Sequence, residues 1–114
     1  MEPKDAFTLD TIVMYCDRIF SAIEKYNITK DVFLSDENYQ DMLAFCIIQI
    51  GECAKDLSIK FTNTHTAIDW RRIIAFRNLI VHDYGSFVPE ILWDAIQTNV
   101  PELRNYCATQ INAE

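Results

Sequence analysis

A chain of 114 residues with a formal charge of −7 has room for one hydrophobic core, and it lacks the basic surplus with which nucleic-acid binders ordinarily neutralise phosphate. Half of the residues are hydrophobic and only two are Gly and three Pro, a composition that favours long helices over many short strands. No run approaches the roughly 18 apolar residues of a membrane span, and residues 1–5 (MEPKD) lead into no apolar leader core, so the expectation is a cytoplasmic protein with no membrane contact and one domain over residues 1–114.

The first helix is expected to begin near Thr8 or Asp10, either of which can cap it. Leu9, Ile12, Val13, Cys16, Ile19, Phe20 and Ile23 then recur at steps of three and four and form one apolar stripe. The stripe fades at Tyr26 and Asn27, and residues 28–34 read as a connector with room for one helical turn. A second helix starts after Ser35 or Asp36, with Glu37 in its first turn, where negative charge suits the helix dipole. It is expected to run to about Lys60.

Tyr39, Leu43, Cys46, Ile47, Ile50, Ala54 and Leu57 make its main stripe, and Met42, Phe45 and Ile48 make another. Two stripes exceed what a surface helix of a small monomer needs, so the extra face is expected to pack a third helix or a second subunit. Gly51 lies mid-helix, where it costs about 1 kcal/mol relative to Ala; the usual reason to keep it is close approach of another backbone. Glu52 would lie near that crossing, as a solvated or ion-paired carboxylate.

Residues 61–66 (FTNTHT) read as a polar loop, and His65 within it is assigned no role. Asp69 is a good cap for a third helix that begins Trp70-Arg71-Arg72-Ile73 and buries Ile73, Phe76, Leu79 and Ile80. Gly85 stops it. Pro89 is acceptable in the first turn of a fourth helix, striped by Val88, Ile91, Leu92, Ala95 and Ile96. Asn99 and Pro101 restart a short last helix with Leu103, Tyr106, Cys107 and Ile111.

The expected fold is all-α, an antiparallel up-and-down four-helix bundle plus a short C-terminal helix, because short connections make successive helices antiparallel neighbours. Cys16, Cys46, Cys53 and Cys107 show no C-x-x-C spacing and fall in apolar stripes, so they read as reduced core thiols rather than a disulfide or metal site. No metal and no cofactor is called for.

The chemistry is concentrated in residues 77–84 (RNLIVHDY). Arg77 supplies a permanent charge with a planar donor fork suited to phosphate. His82 can give or take a proton near neutrality, and Tyr84 offers a hydroxyl. On an unbroken helix Arg77 and His82, five residues apart, point about 140° from each other. They cannot face one phosphate together unless the helix unwinds near Val81 and His82, or two chains contribute to one site. Asn78 and His82, at i and i+4, share a face, so Asn78 could orient the imidazole. A plainer account, with Arg77 and Asp83 ion-paired and His82 and Tyr84 ending a helix, stays open on these residue types alone.

The text IGECAKDLS at residues 50–58, DWRRI at 69–73, R-N-x3-H-x-Y at 77–84, ILW at 91–93 and PEL at 101–103 resembles the HepT-like branch of the HEPN superfamily, over about residues 8–110. The resemblance implies a homodimer in which the R-x4-6-H-x-Y motifs of two chains face one cleft. It implies metal-independent RNA cleavage, with Arg77 and His82 catalytic and Asn78 and Tyr84 in supporting, RNA-contacting roles. It also implies the toxin of a two-gene toxin–antitoxin module, whose partner is an MntA-like minimal nucleotidyltransferase that neutralises it, in some cases by adding AMP to the motif tyrosine, here Tyr84. A rival expectation is a non-catalytic nucleotide- or substrate-binding subunit of such a nucleotidyltransferase, which the −7 charge suits better than it suits RNA.

Overall fold

The computed structural model describes residues 1–113; Glu114, the last residue of the domain expected over 1–114, lies outside the described residues. Its helices are α1 (Pro3–Lys25), α2 (Lys30–Ser35), α3 (Glu37–Asp56), α4 (Ile59–Thr64), α5 (Trp70–Asp83) and α6 (Pro89–Asn112), with a 3-10 turn over Tyr84–Ser86 between α5 and α6. Among the described residues there is no strand, so the all-α class expected from composition holds.

Each start has a local cause. Pro3 sits in the first turn of α1, where its missing N–H costs nothing. The side chains of Thr29, Asp36, Ser58 and Asp69 cap α2, α3, α4 and α5 by accepting first-turn backbone N–H groups. Asn27 takes a left-handed conformation, φ 53°, which a short polar side chain tolerates, and so closes the turn after α1.

Four expectations about boundaries are corrected. α1 begins at Pro3, not near Thr8 or Asp10; Thr8 lies inside it and donates its hydroxyl back to the Lys4 carbonyl at 2.9 Å. α3 ends at Asp56 rather than Lys60, because Ser58 starts a new helix, and residues 61–64 of the expected loop belong to that α4. The fourth and last helices are one: α6 runs through Pro101. Its buried residues Leu92, Ile96, Val100, Leu103 and Cys107 keep helical spacing on both sides of the proline, so the burial of one unbroken stripe outweighs the hydrogen bond that Pro101 removes.

α3 is the central element, packed against α1 on one side and α5 on the other, while α6 packs along α1 and α2. Leu9, Ile12, Ile19, Leu43, Ile80, Leu92 and Ile96 are shut from solvent at the centre, and Phe33 of α2 packs on Trp93 of α6 with ring centroids 5.2 Å apart. This arrangement absorbs most of the second stripe on α3: Met42 and Ile48 are half-buried against the core. Phe45 keeps 50% exposure and makes an edge-to-face ring contact with Tyr15.

Asp5, 2% exposed, ties the start of α1 to the start of α4. Its carboxylate accepts from the Ser58 backbone N–H at 2.9 Å and the Ser58 hydroxyl at 2.6 Å. His65 shares a 2.8 Å hydrogen bond with the Tyr106 hydroxyl and stacks on Phe61, and its carbonyl accepts from the Trp70 indole at 2.8 Å; its place is structural. All four cysteines are free thiols. Burial pushes the Cys16, Cys46 and Cys53 thiols up and Cys107 to about 12, so they stay protonated and inert.

Candidate active site

The site begins with a missing side chain. Gly51 on α3 lies directly under Arg77 on α5: a Cβ at Gly51 would come within 2.6 Å of the Arg77 Cγ and closer still to its Cβ. The glycine that sequence reasoning ascribed to a close helix approach is therefore the seat of the motif arginine. Next to it, Glu52 forms an ion pair with an Arg77 terminal nitrogen. The other terminal nitrogen donates to the Asn78 side-chain oxygen at 2.7 Å, and the Arg77 Nε is buried without a partner among the described residues.

A second carboxylate of α3 holds the other end of the motif. The Tyr84 hydroxyl donates to Asp41. Burial, then this hydrogen bond, then the charges of Asp41 and Glu37, push the phenol well above its ordinary range. Asp41 and Glu52 are eleven residues apart, three turns with about 20° of residual rotation, so both lie on the face that α3 turns toward α5. Tyr84 follows the end of α5 in a 3-10 turn, seven residues after Arg77. The two helices run antiparallel, and two carboxylates of α3 clasp the two ends of the motif. Beside Tyr84 lies a groove of about 400 Å3, lined among others by Glu37, Gln40, Asp41, Phe87 and Leu92.

His82 is not part of this arrangement. It is exposed and makes no side-chain hydrogen bond among the described residues. α5 stays helical through Asp83, so the unwinding that could have swung His82 toward Arg77 does not occur. Asn78 makes no hydrogen bond to the imidazole among the described residues; its side-chain oxygen accepts from Arg77. One chain thus brings together Arg77, Asn78 and Glu52 at one point and Tyr84 with Asp41 at another, and it turns His82 to solvent. Leu79, expected to be buried, is exposed, and so are Val81, Val88 and Ile91.

Asp41 escaped the sequence reading. Its eleven-residue spacing to Glu52 is visible in the text, but which charged residues of α3 face α5 depends on how the helices pack. Among the described residues no three His, Cys, Asp or Glu side chains form a metal-ligand set, and no helix is long and apolar enough to cross a membrane.

A family model for HepT-like ribonucleases matches residues 14–109. The chain is also similar to three proteins that carry the name "Putative RNase". MJ0127 of Methanocaldococcus jannaschii is 31% identical over 75 residues, 66% of this chain, and the chain spans 62% of its length. TTE0752 of Caldanaerobacter subterraneus subsp. tengcongensis is 25% identical over 95 residues, 83% of each chain. MJ1380 of M. jannaschii is 23% identical over 92 residues, 77% of this chain and 84% of that one. No solved structure matches the chain significantly. The family match covers both α3, with Gly51 and Glu52, and the whole 77–84 motif, and the chain belongs to the HepT-like ribonuclease family.

Proposed function

We propose that this chain is a metal-independent endoribonuclease whose working unit is a homodimer. The observation that carries the reading is the separation of Arg77 and His82. Arg77 is fixed on the α3 side of α5, while His82 stands exposed on another side of the same helix. A phosphate held by Arg77 of one chain can meet the imidazole of a second chain. The exposed Leu79 and Val81 within the motif, with Val88 and Ile91 shortly after it in sequence, give that second chain apolar surface to cover.

In this site His82 takes the proton of the ribose 2′-OH as that oxygen attacks phosphorus. The bond from phosphorus to the 5′-oxygen breaks, a proton is returned to the leaving oxygen, and the products are a 2′,3′-cyclic phosphate and a 5′-OH. The free N–H groups of Arg77 stabilise the charge that builds on the phosphoryl oxygens. Tyr84 contacts the RNA at the edge of the cleft.

The chain acts as the toxin of a two-gene module, neutralised by an MntA-like nucleotidyltransferase that places AMP on Tyr84. An AMP group would add bulk and negative charge beside Asp41 and Glu37, which repels RNA. A phenol converted to a phosphodiester also has no proton left to give Asp41, so modification must break that contact. The second reading, a non-catalytic subunit of a nucleotidyltransferase, is favoured by the −7 charge and by the carboxylate already on Arg77.

Incubating the purified chain with tRNA and mRNA, beside His82→Ala, decides between the two. Cleavage without added metal, cyclic-phosphate ends and growth arrest on expressing the chain alone support the nuclease. Equal cutting of DNA, or an absolute need for Mg2+, refutes the 2′-OH mechanism.

A further inference from the structure

We infer that Glu52 is a positioning residue for Arg77 in RNA cleavage, an assignment that rests on the ribonuclease reading of the site. Three contacts from three directions define one placement of the arginine. Gly51 lets its Cβ and Cγ lie against the backbone of α3. Glu52 holds one terminal nitrogen, and the Asn78 oxygen holds the other at 2.7 Å.

A guanidinium has five N–H groups. Two are used by Glu52 and Asn78, and the Nε–H is buried. One N–H on each terminal nitrogen remains for a phosphate. The arginine side chain is 19% exposed and that of Glu52 37%, so the pair keeps partial access to solvent. A long side chain left to itself samples many rotamers. Glu52 removes that freedom before substrate binds, which is how a fixed donor contributes to the transition state rather than to binding alone.

The test measures cleavage of one RNA by the full-length wild type, Glu52→Ala, Glu52→Gln and Arg77→Ala, with helicity checked for each. Glu52→Ala is expected to lower kcat on the order of a hundredfold with KM little changed. Glu52→Gln, whose amide oxygen can accept the same N–H without the charge, is expected to recover to within about tenfold of wild type. Glu52→Ala at the wild-type rate or faster overturns the assignment. So does an unfolded Glu52→Ala beside a fully active Glu52→Gln, which makes the residue purely structural.

A second readout does not depend on activity. The Arg77 Nε–H resonance should exchange slowly with solvent in the wild type and much faster in Glu52→Ala; equal protection in both overturns the positioning role. If wild type and Arg77→Ala are alike silent on RNA, the ribonuclease reading fails by itself, and the exchange measurement still decides whether Glu52 holds Arg77.

Discussion

Tyr84 donates a hydrogen bond from its phenolic hydroxyl to Asp41, a residue of a different helix 43 positions earlier in the chain. Burial and that bond raise the phenol's pKa. An acid whose folded pKa lies above its unfolded value of about 10 contributes its full stability below that pH and loses it as pH rises toward the folded pKa. In an alkaline titration followed by phenolate absorbance, a late component is expected among the five tyrosines, carried by Tyr84 and, through burial, by Tyr106. Tyr84→Phe should remove part of that component. Asp41→Asn should shift the same part downward, and an unchanged curve in both variants would contradict the contact.

Mixing inactive subunits tests the two-chain site. Arg77→Ala and His82→Ala homodimers should each be inactive. After unfolding and refolding together they should recover about a quarter of wild-type cleavage, since half of the dimers are mixed and each mixed dimer holds one intact Arg77–His82 pair out of two. No recovery would overturn a site in which one Arg77–His82 pair from two chains suffices.

Gly51→Ala sets two effects against each other. Alanine gains about 1 kcal/mol of helix propensity over glycine. Against this, the new methyl meets the Cγ of Arg77 and, closer still, its Cβ, which is fixed to the backbone of α5 and cannot swing away. Overpacking of this kind costs about 1–3 kcal/mol, and the helices must part to relieve it. The net expectation in urea unfolding is destabilisation, together with loss of cleavage as Arg77 is displaced; a stabilised and active Gly51→Ala would show that α3 and α5 are not in such close contact.

The short α2 should matter more for stability than its length suggests. Phe33 is 0% exposed and packs on Trp93, so Phe33→Ala should cost about 3–5 kcal/mol. Arg104→Ala breaks a visible ion pair with Asp17, 3.0 Å long. Both partners are substantially exposed, and the cost should stay below about 1 kcal/mol. Thermal or denaturant unfolding of the two variants should separate them clearly.

The long helices were legible because Leu9, Ile12, Cys16 and Ile19, and Leu43, Cys46, Ile47 and Ile50, recur at helical spacing and are buried as that spacing requires. Pro101 misled because its local penalty is easy to read, while the compensating burial of Val100, Leu103 and Cys107 is tertiary. α4 was hidden in a polar stretch: its start depends on Ser58 being held by Asp5, a contact between residues 53 positions apart. At the site, helical angles alone were enough to show that Arg77 and His82 diverge, and Gly51 pointed to a close crossing. That Glu52 pairs with Arg77, and Asp41 with Tyr84, follows from the facing of α3 and α5, which no local pattern records.

The ion pair between Glu52 and Arg77 also governs what the protein looks like from afar. On a chain of net charge −7, a motif arginine already matched by a carboxylate contributes almost nothing to the field beyond a Debye length of about 8 Å. A polyanion approaching from solution is repelled rather than steered. Recognition then has to come from contact, through donor geometry and shape, and few counterions are released when RNA docks. Added salt should accordingly leave its affinity unchanged or raise it by screening that repulsion, whereas it weakens RNA binding by a basic nuclease.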